Sequence, residues 1–169
     1  MAIIKTVRGF APKFGVNCFF ADNSVVVGDV VMGDNCTVWF NAVIRGDVNS
    51  IRIGNNTNIQ DGAIIHCTYL KASTTIGSQV SIGHNAIVHG CVVEDNVLIG
   101  MGAIVMDNAI IRTGAVIGAG AVVLQGQEVE ANSIYAGVPA RKVKDAGDEM
   151  RALIERTATN YPLYAEWFK

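Results

Sequence analysis

Apolar residues recur at every sixth position through most of this chain, and this period constrains the fold more than any other feature. A six-residue repeat matches neither the 3.6-residue period of a helix nor the two-residue alternation of a free strand. It is typical of a hexapeptide β-helix, in which short strands and corners alternate and three sides complete one coil. We therefore predict an all-β solenoid, a left-handed parallel β-helix. The repeat occupies eighteen positions, namely Phe14, Phe20, Val26, Met32, Val38, Ile44, Ile53, Ile59, Ile65, Ile76, Ile82, Val88, Val93, Ile99, Val105, Ile111, Ile117 and Val123.

A second register supports the same fold. Small or β-branched residues such as Cys36, Ala42, Ala63 and Ala86 stand four positions after most repeat residues. A narrow triangular prism has room for one branched and one small residue on each side of a coil. Glycine, Asn and Asp follow the repeat positions, where tight corners need residues that tolerate unusual backbone angles.

The chain divides into two predicted regions. Residues 1–140 form the left-handed parallel β-helix domain, because the period disappears after the segment 137–140. In residues 141–169, Met150, Leu153 and Ile154 show the spacing of an amphipathic helix. We expect this C-terminal helix to pack along one outer side of the β-helix.

Composition excludes several classes of function. The chain has 169 residues and a net charge of −2, so it lacks the basic surface of a nucleic-acid-binding protein. No apolar stretch approaches the roughly 18 residues of a membrane span, and the N-terminus has no signal-peptide pattern. We expect a cytoplasmic location. Of the four cysteines, Cys18 and Cys36 are expected to be stacked buried thiols. Cys67 and Cys91 could be metal ligands, but a structural role is favoured.

The repeat is interrupted after Ile44, Ile65 and Val88. Counting three strands per coil, each interruption follows a third strand, so all three lie at the same corner of successive coils. Departures from a strict repeat mark functional loops more often than the repeat itself does.

The three histidines of the chain fall within the repeat, and two of them, His66 and His89, stand beside these interruptions. His66 and His89 each follow a repeat residue in a third strand, so they should stack in adjacent coils, about 4.8 Å apart in backbone, with Arg45 one coil earlier. His84 belongs to another side, with Asp61 one coil below it. Two stacked imidazoles can bind one metal ion at about 2.0–2.1 Å, and His84 of a neighbouring chain could complete the site. We infer a homotrimer with a three-histidine zinc site at each interface. The alternative is that these are ordinary surface histidines.

The sequence around these histidines resembles the gamma-class carbonic anhydrases. The similarity is carried by three segments: 43–47, then 57–61 with His66, then 82–85 continuing through His89 to Cys91. It covers residues 11–141, and the spacing of the three histidines is its specific part. Hexapeptide repeats alone are shared with many acyltransferases.

The resemblance implies a function and roles for named residues. The family is trimeric, and His66 and His89 of one chain would bind one zinc ion per chain, or iron or cobalt, together with His84 of the next. Arg45, Asp47 and Asp61 would form interface ion pairs, and Arg45 would also favour the anionic product. Gln60 and Asn58 would contact the metal-bound water or the substrate. The implied reaction is the reversible hydration of carbon dioxide to bicarbonate.

One departure from the family pattern concerns proton release. The segment 67–75 contains no carboxylate, whereas well-known members carry glutamates that shuttle protons near the site. Tyr161 and Tyr164 of the terminal helix are candidate proton carriers, although aromatic packing is the favoured role. We therefore predict a slow hydratase. The alternatives are an acyl-CoA thioesterase, a hexapeptide acyltransferase, and a non-catalytic trimeric subunit stabilised by metal.

Overall fold

The six-residue repeat folds into a parallel β-helix of about seven coils. The computed structural model describes residues 1–168. Strands of one coil pair in parallel register with those of the next, so that Ile65 aligns with Val88 and Ile59 aligns with Ile82. The prediction of an all-β solenoid with a C-terminal helix is confirmed.

The strands are short, and most contain two or three residues. In chain order they are β1 (Ile3–Lys5), β2 (Lys13–Phe14), β3 (Phe19–Phe20), β4 (Val25–Met32), β5 (Thr37–Val38), β6 (Val43–Ile53), β7 (Asn58–Ile59), β8 (Ile64–His66), β9 (Thr74–Ile76), β10 (Ser81–Ile82), β11 (Ile87–His89), β12 (Val92–Val93), β13 (Leu98–Ile99), β14 (Ile104–Val105), β15 (Ile110–Ile111), β16 (Val116–Ile117), β17 (Val122–Val123), β18 (Glu128–Val129), β19 (Ser133–Ala136) and β20 (Arg141–Asp145).

The prism has three sides. Side 1 contains β9, β12, β15 and β18, side 2 contains β5, β7, β10, β13 and β16, and side 3 contains β8, β11, β14 and β17. The long strands β4 and β6 run continuously around the corner between sides 3 and 1 and join them into one sheet. This corner is the one at which the sequence repeat is interrupted.

The inward residues of all three sides form one continuous core. Ile44, Ile65, Ile82 and Val88 are fully buried, and small residues such as Ala86 fill the remaining space. Burying an aliphatic side chain of this size contributes about 1.5–3 kcal/mol. Each coil packs its core against the coils on either side of it. This packing fixes the register of neighbouring coils, so outward side chains at equivalent positions line up.

A glycine shapes the corner that carries Asp61. Gly62 has a φ of +69°, and a Cβ at this position would collide with Asn85 Oδ1. Glycine adopts this left-handed backbone without strain, and a larger residue would have to displace the Asn85 side chain of the next coil. The close stacking brings Asp61 directly below His84.

The C-terminal region differs in part from the prediction. Residues 141–145 are not helical: they form β20, which pairs antiparallel with β19 and ends the β-helix. The helix α1 (Asp148–Ala165) follows, and a 3-10 helix (Glu166–Phe168) ends the described chain. As expected, α1 packs along one side, contacting β5 and β10 of side 2. No helix within residues 1–168 is long and apolar enough to cross a membrane.

The four cysteines are free thiols. Cys36 is buried as predicted, but Cys18 is only half-buried because it lies near the open end of the prism. A hydrogen bond from the Cys36 thiol lowers the pKa of Cys18 to about 7. Burial raises the pKa of Cys91 to about 12 and also raises the pKa of Cys67.

We expect Cys18 to be the first cysteine alkylated by iodoacetamide near neutral pH. A lower pKa gives a larger fraction of thiolate, which is the nucleophile, and the other three side chains are buried. Mass mapping of peptides after brief labelling measures the order of reaction. Replacement of Cys36 by Ala removes the hydrogen bond and should slow the labelling of Cys18. Labelling of Cys91 before Cys18 would contradict this prediction.

Candidate metal centre

His66 and His89 stack on the outer surface of side 3, as the repeat predicts. The two residues are aligned in the register of β8 and β11. Their rings meet edge to face with centroids 5.1 Å apart, and His66 Nδ1 lies 3.1 Å from His89 Nε2. Two ring nitrogens therefore face each other at the edge of the prism.

This spacing fits a shared metal ion. Two histidine nitrogens that each lie 2.0–2.1 Å from one tetrahedral ion are about 3.3 Å apart, close to the separation seen here. Imidazole nitrogen is a common ligand of zinc, iron and cobalt. Within residues 1–168 of a single chain, no group of three or more His, Cys, Asp or Glu side chains converges as a metal site. The pair could therefore supply two ligands to a metal ion, and a complete site would need a further donor.

Asp47 contacts His66 and is itself held by Arg45. His66 Nε2 lies 3.1 Å from Asp47 Oδ1, and Arg45 Nη1 donates to Asp47 Oδ2 at 2.6 Å. Burial favours a higher pKa for Asp47, but the hydrogen bonds from Arg45 and His66 outweigh it and the pKa is lowered. Burial lowers the pKa of His66 despite the Asp47 contact. The ring is therefore in its neutral, metal-binding form at pH 7.

Asp107 contacts His89, and the sequence analysis did not identify it. Asp107 Oδ1 lies 2.5 Å from His89 Nδ1, and the Thr68 hydroxyl donates to Asp107 Oδ2. Asp107 is 18 residues after His89, but this coil includes the interruption after Val88, and Val88 pairs with Val105. Asp107 therefore lies one position beyond the residue that aligns with His89, and counting by the repeat alone does not reach it.

His84 lies on a different part of the surface, with Asp61. His84 Nδ1 is 2.9 Å from Asp61 Oδ2, and both side chains are about 40% exposed. The predicted alignment of these two residues is therefore present. Within the chain, Asp61 pairs with His84, and Arg45 pairs with Asp47.

Asn58 and Gln60 lie on side 2, close in sequence to Asp61. The Gln60 amide donates to Asn58 Oδ1 at 3.0 Å, and the Asn58 amide donates to Ser81 Oγ at 2.8 Å. Both amide side chains are buried. This chain of hydrogen bonds fixes the orientation of the Gln60 side chain.

Tyr161 of α1 also belongs to this region. Its ring packs edge-on against Trp39, with centroids 5.4 Å apart. Burial, together with the negative charge of Asp61, raises the pKa of Tyr161 to about 12. Its phenol therefore stays protonated at neutral pH. Tyr164 stacks on Tyr161 from the same helix.

The candidate residues thus form two groups in one chain. The first, called the His66 half-site, contains Arg45, Asp47, His66, His89 and Asp107. The second, called the His84 half-site, contains Asn58, Gln60, Asp61, His84 and Tyr161. Cys67 and Cys91 belong to neither group, since both side chains point into the apolar core.

Comparison with known proteins decides the family. A family model described as bacterial transferase hexapeptide (six repeats) matches residues 13–46 and 90–125. A protein of Methanocaldococcus jannaschii described as a probable carbonic anhydrase is 55% identical over 150 residues, which cover 89% of this chain and 94% of that protein. The mitochondrial gamma carbonic anhydrase 1 of Arabidopsis thaliana is 38% identical over 161 residues, 92% of this chain and 58% of that longer protein. This chain belongs to the gamma-class carbonic anhydrase-like family.

A solved structure shows how far the fold of this carbonic anhydrase-like protein extends. A hexapeptide transferase family protein from Anaplasma phagocytophilum superposes with a TM-score of 0.94 at 34% identity, covering 99% of this chain and 98% of that one. A protein described as a transferase therefore shares both the β-helix and the terminal helix of this chain. The function has to be argued from the side chains of the two half-sites.

Proposed function

We propose that this carbonic anhydrase-like protein is a metal-dependent carbonate dehydratase, which hydrates carbon dioxide reversibly to bicarbonate at the interfaces of a homotrimer. The observation that carries the proposal is the facing pair of ring nitrogens in His66 and His89, 3.1 Å apart. An unmetallated general base would need one imidazole, whereas a metal needs several. An acyltransferase that uses an unmetallated histidine as its base has no comparable support from these side chains, whereas a metal-dependent thioesterase would use the same histidine pair.

A stripe of apolar residues on side 3 supports the trimer. Seven outward-facing β-branched residues align from coil to coil beside the His66 half-site, and none of them is buried. The equivalent column of side 1 is mixed, since Arg52, Thr75 and Glu128 interrupt its apolar residues. A continuous apolar stripe is typical of a surface that a partner covers. The stripe consists of Ile3, Val25, Val43, Ile64, Ile87, Ile104 and Val122.

In the proposed trimer, His66 and His89 of one chain and His84 of the next would hold one zinc ion, with iron or cobalt as alternatives. Three histidines and an open position are the donor set of catalytic zinc. Such an ion would supply hydroxide at neutral pH, because it lowers the pKa of water to about 7. The His84 half-site of one chain and the His66 half-site of the next would together surround the substrate.

The other side chains of the two half-sites would bind and orient the substrate. Gln60, held by its hydrogen bond to Asn58, would direct its amide group toward the oxygen atoms of the substrate. Arg45 supplies a positive charge that favours bicarbonate, and its ion pair with Asp47 keeps His66 in place. Asp61 holds the His84 ring through Nδ1, so that Nε2 remains for the metal.

Proton release limits the proposed rate. Because the pKa of Tyr161 is raised to about 12, its phenol is a poor proton acceptor at neutral pH. Tyr161 then acts by donating a hydrogen bond, and protons leave through water and buffer. We therefore propose a slow hydratase whose rate rises with buffer concentration.

The test is the metal content per chain together with carbon dioxide hydration, before and after loading with zinc or, anaerobically, with ferrous iron. We expect about one ion per chain and hydration that depends on the metal. His84→Ala should lose the metal and keep the β-sheet circular dichroism signal, whereas the exposed control Gln125→Ala should keep both. Metal without hydration in any buffer would reject the hydratase and lead to assays with acyl-CoA thioesters. Unchanged metal content in His84→Ala would reject the three-histidine site.

A further inference from the structure

Asp107 connects the His66 half-site to a later coil, and its two carboxylate oxygens have different partners. Oδ1 lies 2.5 Å from His89 Nδ1, and Oδ2 accepts from the Thr68 hydroxyl. Burial favours a higher pKa for Asp107, but the hydrogen bonds from Thr68 and His89 outweigh it and the pKa is lowered. The two contacts hold the carboxylate between the Thr68 hydroxyl and the edge of the His89 ring that carries Nδ1.

The backbone around Asp107 is fixed from both neighbouring coils. The carbonyl of Asp107 accepts from the Gly126 amide at 2.9 Å, and the Asn108 amide donates to the Gly90 carbonyl at 2.7 Å. Since Gly90 follows His89 directly, the bond from Asn108 holds the backbones of Asp107 and His89 close together in neighbouring coils. The carboxylate is therefore within reach of the imidazole.

Thr68 comes from the five-residue interruption after Ile65. This segment is closed by a bridge between Thr68 and Ala72, whose amide and carbonyl groups bond at 3.0 and 3.2 Å. The bridge holds the Thr68 hydroxyl toward Asp107, 39 residues further along the chain. Through Thr68 and Asp107, the interruption is therefore connected by hydrogen bonds to His89.

The carboxylates beside the two stacked histidines differ in their second partner. Asp47 pairs with the Arg45 guanidinium at 2.6 Å, whereas Asp107 accepts from the neutral Thr68 hydroxyl besides its contact with His89. A carboxylate on one imidazole nitrogen selects the tautomer whose other nitrogen is free, and it strengthens that nitrogen as a ligand. For His89 the free nitrogen is Nε2, which faces His66.

We propose that Asp107 is a positioning residue of the metal centre, which holds His89 with Nε2 directed at the ion, and that Thr68 locks Asp107 in this orientation. The inference rests on the proposed function only in requiring that His89 binds a metal. It gives the interruption at residues 68–73 a role that does not involve proton transfer.

The experiment measures Co²⁺ binding in trimeric protein, by competition with a chelator and by the visible absorption of the bound ion. Loss of an outer-shell partner typically weakens metal binding by about 10–100-fold, and we expect this for Asp107→Asn, with a changed cobalt spectrum. Thr68→Val should weaken binding by several-fold, and Thr68→Ser, which keeps the hydroxyl, should restore it. The control is Asp95→Asn, since Asp95 accepts from the Ser78 amide in another corner and contacts no histidine.

The outcomes separate the two proposals. Wild-type affinity and an unchanged spectrum in Asp107→Asn would overturn the positioning role and leave the three-histidine site intact. Equal losses in Thr68→Val and Thr68→Ser would overturn the role of the hydroxyl. Absence of cobalt binding in the wild-type protein would reject the metal centre itself. Weaker binding in Asp107→Asn than in Asp95→Asn, with trimers of normal mass, supports the inference.

Discussion

Chains carrying His66→Ala and chains carrying His84→Ala are expected to be metal-free when pure and to recover metal when they are mixed. In a cyclic trimer each interface joins the His66 half-site of one chain to the His84 half-site of the next. A His84→Ala chain keeps His66 and His89, and a His66→Ala chain keeps His84. Placed side by side in the correct order, the two chains supply all three ligands.

The size of the recovery is set by the symmetry. After random exchange of equal amounts, every mixed trimer contains one intact interface, which amounts to about a quarter of the wild-type sites. Denaturation and joint refolding mixes the chains, and metal analysis of the purified trimers measures the recovery. Carbon dioxide hydration should return in the same proportion.

A matched mixture provides the control. His66→Ala and His89→Ala chains should show no recovery, because the stacked pair must come from one chain and neither variant retains it. Recovery in this mixture would contradict the assignment of both residues to one half-site. No recovery in the first mixture, with mixed trimers present, would reject the shared site.

The second large effect concerns the apolar stripe of side 3. Ile64 is 40% exposed in the single chain and lies in the middle of this stripe, between Val43 and Ile87. Replacement by Glu places a charge where the proposed partner packs, and a buried unpaired charge costs several kcal/mol. We expect Ile64→Glu to be a folded monomer that has lost the metal.

Val92→Glu is the control for this variant. Val92 is 41% exposed, but its column on side 1 already contains Arg52, Thr75 and Glu128. Light scattering should therefore give the mass of three chains for Val92→Glu and of one chain for Ile64→Glu. A trimer of normal mass with full metal content in Ile64→Glu would show that side 3 is not the interface.

The relation between sequence and structure is clearest at the histidines. His66 and His89 are 23 residues apart, and no local rule joins them, yet the repeat placed them in the same column of adjacent coils, as the register shows. The alignment of Asp61 with His84 was predicted in the same way. In a solenoid each residue contacts the same position in the next coil, so counting along the chain locates neighbours that are distant in sequence.

The contacts that the prediction missed involve residues outside the six-residue repeat. The contact from Thr68 to Asp107 crosses 39 residues and begins in an interruption whose path no repeat describes. The strand β20 pairs antiparallel, outside the parallel register of the coils. The contact of Tyr161 with Trp39 depends on how α1 packs against side 2.

The sequence by itself determined the coils, the inward core and the columns in which the two stacked histidines and His84 stand, because the six-residue period sets contacts between neighbouring coils. Only the tertiary structure decided that Asp47 and Asp107 flank the stacked pair, that Gln60 is held by Asn58, and that the pKa of Tyr161 is raised. These features depend on side-chain direction at corners and on the packing of a helix against a side. Both are set by the distances between side chains in three dimensions and not by a period along the chain.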